Sequence, residues 1–169
     1  MSIKDKLRLE VRQDIISLQP NRKIINSLLW FAAAIIITAV ILVVFREKLG
    51  EGGQILCIAI IAYFFIHGLI DIVFRLNVRY TFDKHDNAVY RDNFPFGRKK
   101  LMQLDEAVIF TSSESGDWHY SLGIKKKQFL KNYKISPRFG SGKISMRWAA
   151  EYEEKILFPI MDLLKKDSL

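Results

Sequence analysis

Tyr63, His67, Asp71 and Arg75 recur at intervals of four, and their types could carry charge through an apolar setting. On a helix this spacing returns to nearly the same face, so the four form one drifting stripe in which Asp71 and Arg75 can pair. The functional reading is a proton or ion path, because ionisable side chains inside apolar spans mark such paths. The structural reading is register: Asp71 lies a turn from the end of its apolar run. There it pairs with Arg75 and could bond Asn26 and Ser27 of the preceding run.

Two basic clusters come next, Arg98-Lys99-Lys100 and Lys125-Lys126-Lys127, with Lys131 and Lys134 beyond the second. Each Lys or Arg near an anionic bilayer contributes ~1 kcal/mol of attraction, so three or four could orient a domain on lipid or toward a protein partner. As solvated loop charges they would instead keep the domain soluble. Phe94 and Phe96, on a turn just before the first cluster, could dip into the membrane interface or fill the mouth of a barrel; burial is the expectation, as large aromatics are usually buried.

Other motifs fail on inspection. Gly140-Ser141-Gly142-Lys143 suggests a phosphate loop, but Pro137 stands where the first glycine belongs and Ile144 replaces the Ser/Thr that would hold magnesium. His85 and His119 fall on a turn and a strand, with no nucleophile pattern near either. Ser113 and Ser115 belong to a turn-forming Ser-Glu-Ser-Gly-Asp run. Cys57 is the one cysteine, so no intramolecular disulfide and no Cys/His metal spacing exists. The chain reads as a non-enzyme with no cofactor and no metal.

The element that positions the stripe is a hydrophobic hairpin, residues 24–75. Leu28–Phe45 is eighteen residues without a charge, and Ile55–Phe74 is twenty with Asp71 alone. At ~1.5 Å rise per residue each matches the thickness of a bilayer core. The alternative, two helices buried in a soluble core, needs more surrounding protein than 169 residues supply. Arg46–Gln54, charged and Gly-rich, reads as the connecting loop, which makes the spans antiparallel and leaves both chain ends on one side. Residues 1–23 carry six Lys/Arg, and Arg75, Arg79, Lys84 and Arg91 follow the second span, against Arg46 and Lys48 in the loop. Positive residues stay inside, so both termini are expected in the cytoplasm. The charged start and the lack of a small-residue cleavage site imply that the first span is retained.

The composition agrees with an anchor joined to a polar domain: 50% hydrophobic residues coexist with 26% charged ones. The net charge of +8, tethered at a bilayer, points to anionic headgroups rather than nucleic acid. Residues 1–23 form an N-terminal segment in which Ile3, Leu7, Val11, Ile15 and Leu18 fit one helical face. This amphipathic helix would either lie on the inner leaflet or pack on the cytoplasmic domain.

From Leu76 the period becomes two. Leu76, Val78, Tyr80 and Phe82 alternate with polar residues, predicting a strand. Further strands are read at Ala88–Asp92, Arg98–Gln103, Ala107–Ser112, Trp118–Ile124 and Tyr133–Ser136. Residues 145–166 then place Trp148, Tyr152, Ile156, Ile160, Leu163 and Leu164 on one face, a closing amphipathic helix with a kink expected at Pro159.

Arg79–Asp92 (RYTFDKHDNAVYRD) gives strand, polar turn and strand, and Lys100–Phe110 (KLMQLDEAVIF) leads one strand through an acidic turn into another. Over residues 76–165, and with two spans in front, this pattern resembles the small bacterial inner-membrane proteins that carry a cytoplasmic PH-like domain. The resemblance implies that residues 76–169 form a small β-barrel or curved antiparallel sheet closed by the C-terminal helix. The expected fold class is therefore a membrane helical hairpin plus an α+β cytoplasmic domain. The expected function is a membrane-anchored binding or scaffolding module for a protein partner or the inner leaflet. The alternative is a subunit of an oligomeric channel or a membrane-permeabilising effector that uses the polar stripe; the expected partners are membrane lipids and a protein partner or further copies in a homo-oligomer.

Overall fold

A computed structural model describes residues 3–22, 24–125 and 132–165. In chain order the elements begin with α1 (Ile3–Lys6), β1 (Glu10–Arg12), β2 (Ile15–Leu18), α2 (Ile24–Val44) and α3 (Arg46–Asp71). They continue with β3 (Arg79–Asp83), β4 (Ala88–Asn93), β5 (Gly97–Gln103), β6 (Ala107–Glu114), β7 (Asp117–Ile124), β8 (Tyr133–Lys134), α4 (Lys143–Tyr152) and α5 (Phe158–Lys165). The chain divides into two compact units: Lys23–Leu76, and Met1–Arg22 together with Asn77–Leu169.

The helical unit holds two helices long and apolar enough to cross a membrane. Within the described residues α2 buries no side chain, and α3 buries Cys57, Gly68 and Asp71. Trp30 is 77% exposed and Ile36, Val43, Ile55 and Phe65 are exposed with it, so most of the apolar surface of the two helices is left uncovered within this chain. The two helices meet through Phe31, whose ring lies 5.5 Å from Phe64 and 5.4 Å from His67. The expected loop at Arg46–Gln54 is largely helical. Its Glu, Lys, Leu and Gln residues are good helix formers, and the break is confined to Phe45 and to Gly50, whose φ of 59° suits glycine. A π-helical turn, Ile72–Leu76, ends the unit.

The other unit is built from antiparallel sheets. One has five strands in the order β1-β2-β3-β4-β5, the other three in the order β6-β7-β8. Val78, Tyr80 and Phe82 point inward as the period of two predicts, and they join Leu18, Val89, Leu104, Leu122, Ile135 and Phe139 in one core. The C-terminal helices cover that core with Ala149, Tyr152, Ile156, Leu157 and Ile160. Between them, Glu153–Leu157 is a π-helical turn. It ends two residues before Pro159, whose missing N–H disrupts the regular ladder near the expected kink.

Two expectations are corrected here. The barrel does not close: among the described residues no ladder joins β5 to β6 or β1 to β8, and the strands remain in two sheets, as in the antiparallel-sheet alternative. Nor do residues 3–18 form an amphipathic helix. Only Ile3–Lys6 is helical; Arg8 adopts a φ of 45°, and β1 and β2 form a hairpin that pairs with β3. Ile15 lies opposite Asp83 and Leu18 opposite Tyr80, so a partner more than sixty residues away overrides the local period. Ile16 and Leu18, two apart, then reach the core while Ser17 faces the other way.

Candidate functional site

Arg98, Lys99 and Lys100 lie on β5, an edge strand, and all three are exposed. They face Asp92, Arg91 and Tyr90 respectively, and the register shifts so that Leu101 bulges before Met102 meets Val89. Arg98 is engaged: its guanidinium carbon lies 3.8 Å from the Tyr90 ring centre, and its Nε is 3.7 Å from Asp92 Oδ1. The Tyr90 hydroxyl donates to Asp86 Oδ2 at 3.1 Å, and this bond to a carboxylate raises its pKa. Lys99 and Lys100 project to solvent, where lysines and a bulge also protect a sheet edge from pairing with another chain.

The second cluster is elsewhere. Lys125 Nζ donates to the Asp105 carbonyl at 2.8 Å, which ties it to the β5–β6 turn. Arg98 lies near the start of β5 and Asp105 just past its end, so the fold does not bring Arg98 and Lys125 together. Lys126 and Lys127 lie outside the described residues.

In the helical unit the stripe is partly assembled. Tyr63 and His67 stack with ring centroids 5.8 Å apart, and Arg75 Nη1 donates to Asp71 Oδ1 at 3.0 Å. Asp71 is 4% exposed, whereas Tyr63 and Arg75 are open. Among the described residues Asn26 and Ser27 make no hydrogen bond to Asp71 or His67; Phe31 packs against His67 instead. Asp71→Asn is expected to keep a hydrogen bond to Arg75 and leave hairpin stability nearly unchanged. Asp71→Leu should cost ~1 kcal/mol, read as easier unfolding in mixed detergent. Ion conduction by reconstituted chain that vanishes in Asp71→Asn would instead assign the stripe to a path.

Among the described residues three buried polar atoms lack a hydrogen-bond partner: Arg91 Nε, Asn93 Oδ1 and His119 Nδ1. Val89, Arg91 and Asn93 share the inward face of β4. Polar residues at inward positions of the period of two were the available signal for them, and sequence reasoning passed over it. Tyr80 packs on the same face; burial pushes its pKa up to about 12, against the opposing charge of Arg91.

His119 sits on the far face of β7 from Trp118 and Tyr120, beside Ser121. Burial lowers its pKa, and the charge of Lys134 adds to the effect. A histidine held neutral in the fold, with its pKa below the ordinary 6.5, means that the unfolded chain takes up the proton first as pH falls. Stability should therefore be full above about pH 6.5 and decline below it. His119→Leu should flatten that decline in melts at pH 7.5, 6.5 and 5.5, and substitution of the exposed His85 by Asn should not.

A groove of about 890 Å³ runs between the β1–β2 turn and α5, with Arg12, Lys84 and Lys165 set against Asp14, Glu154 and Asp162. Its charges are mixed, and no Ser, Thr, Cys or His stands among its lining. Among the described residues no group of three or more His, Cys, Asp or Glu could hold a metal ion. The class defined so far is an α+β protein with two long apolar helices inserted between its second and third strands. Compared with protein-family models, curated proteins and solved structures, the chain matches none.

Proposed function

We infer that this protein is a membrane-anchored, non-enzymatic binding or scaffolding module. α2 and α3 form the bilayer hairpin, and the sheet unit is a cytoplasmic PH-like domain presented to a protein partner or to the inner leaflet of a bacterial cell membrane. The observation that carries this reading is the pairing of β2 with β3, from Ile15 opposite Asp83 to Leu18 opposite Tyr80. One strand precedes the hairpin and the other follows it, so an inserted hairpin must return the chain to the compartment it left. The excess of Lys and Arg in residues 1–23 supports the cytoplasm as that compartment. Antiparallel sheets closed on one side by C-terminal helices support the PH-like assignment.

Labelling in intact spheroplasts with an impermeant thiol reagent tests the topology in a Cys57→Ala background. Lys48→Cys should react, and Ser113→Cys should react only after lysis. Reaction of Ser113→Cys in intact spheroplasts would reverse the orientation. Recovery of the chain in the soluble fraction would remove the anchor.

A further inference from the structure

The turn between β4 and β5 carries Phe94 and Phe96, for which burial is the expectation and the membrane interface the alternative. They are 78% and 61% exposed. Strand register places this turn within the sheet. Asn93 lies opposite Gly97, Asp92 opposite Arg98, Arg79 opposite Asp92, and Tyr80 opposite Leu18. The Phe94–Phe96 turn is therefore at the same end of the sheet as the last residue of β2 and the first of β3. These are the two points at which the chain leaves for the apolar helices and returns: α2 begins at Ile24, and the second helical run ends at Leu76.

The charge differs between the two ends. The tethered end holds Arg22, Arg79, Arg91, Arg98 and Lys99 against Glu10 and Asp92. Around the opposite end lie Asp14, Asp83, Asp86, Asp105 and Glu106 against Arg12, Lys84 and Lys125. The turns there are polar at their tips, with Gln13-Asp14, His85-Asp86 and Asp105-Glu106. Two exposed phenyl rings followed by the exposed Arg98 and Lys99, at the end of a sheet tied twice to apolar helices, match an anionic bilayer in both apolarity and charge.

We propose that Phe94 and Phe96 insert into the headgroup region of the bilayer that holds α2 and α3, with Arg98 and Lys99 against lipid phosphates, and so fix the orientation of the sheet unit on the membrane. This rests on the reading of α2 and α3 as membrane spans. The partner is the lipid surface, and the reach is short: only Asn77 and Val78 separate Leu76 from β3.

Site-directed spin labelling of the full chain tests it, in vesicles of mixed zwitterionic and anionic phospholipid and a Cys57→Ala background. Nitroxides at Phe94→Cys and Phe96→Cys should lie about 5 Å or more below the phosphates by oxygen and nickel-complex collision, whereas one at His85→Cys should read bulk water. A label at Ile37→Cys, mid-way along α2, reports on the anchor separately and should read hydrocarbon. If it does, and the labels at 94 and 96 read water, the inserted turn is overturned while the anchor stands. Labels at 94 and 96 that are immobile yet shielded from both reagents would assign the turn to a protein surface, which also overturns the proposal. A label at 37 that reads water would overturn the anchor and the insertion together.

Discussion

Tyr152→Ala is expected to unfold the sheet unit at temperatures where the parent chain is intact. Tyr152 is 0% exposed; its ring stacks on Tyr120 at 5.7 Å and tilts against Phe139, and its hydroxyl donates to the Ile135 carbonyl at 2.8 Å. Burial raises its pKa well above the ordinary tyrosine value, so it stays a neutral donor. Truncating a large buried aromatic costs ~3–5 kcal/mol, a large share of the ~5–15 kcal/mol that holds a typical domain together. A loss of that size lowers the melting temperature by roughly 12 °C or more, read on the full chain in detergent micelles by near-ultraviolet circular dichroism. Tyr152→Phe keeps the stack and loses one hydrogen bond, about 1 kcal/mol. Trp148 is half-buried with Lys6 Nζ 3.6 Å from its ring centre, so Trp148→Ala should cost less than Tyr152→Ala. Lys155, paired with Glu151 at the surface, should change little when replaced by Ala. A Tyr152→Ala chain that melts with the parent would remove the C-terminal helices from the core.

The second large effect concerns where the folded unit begins. A fragment starting at residue 76 is expected to aggregate, although residues 76–165 contain six of the eight strands found among the described residues. It lacks Ile3, Leu7, Ile16 and Leu18, all of them in the core, and it exposes β3 as a new edge. At ~1.5–3 kcal/mol for each buried aliphatic side chain the loss approaches the whole stability of a domain, and a bare, apolar-faced strand invites pairing with other chains. Joining residues 1–22 to residues 77–169 through a short Gly/Ser linker should restore a soluble monomer. The two junctions lie at one end of the same pair of strands, so a few residues span them. Size-exclusion chromatography and amide exchange would compare the two proteins. A monomeric fragment from residue 76 with protected amides in β3 would show that the N-terminal hairpin is dispensable.

The correction at the N-terminus explains why that fragment fails. Ile3, Leu7, Val11, Ile15 and Leu18 fit a helical period, and short apolar runs rarely distinguish helix from strand by spacing alone. The partner that decided it, β3, is more than sixty residues downstream, beyond any local window. Phe94 and Phe96 failed for a related reason. Aromatic type predicts burial on average, but a turn at the end of an edge strand has nothing above it within its own unit. Nor could the two basic clusters be placed relative to each other from sequence, because the length of β5 separates Arg98 from Lys125.

By itself the sequence determined what depends on nearest neighbours along the chain. Uncharged runs of bilayer length specify α2 and α3, the Asp71–Arg75 spacing places those two groups on one helix face, alternation specifies β3 and β7, turn residues bracket β4 to β6, and the period from Trp148 to Leu164 specifies the inner face of the closing helices. The tertiary structure alone decided what depends on partners distant in sequence. The N-terminal segment becomes two strands because β3 offers a ladder. The strands settle into two sheets rather than a barrel because closure needs ladders at both seams, and among the described residues none joins β5 to β6 or β1 to β8. The turn at Phe94 and Phe96 comes to the tethered end because register, fixed by which side chains fill the core, sets which turns share an end.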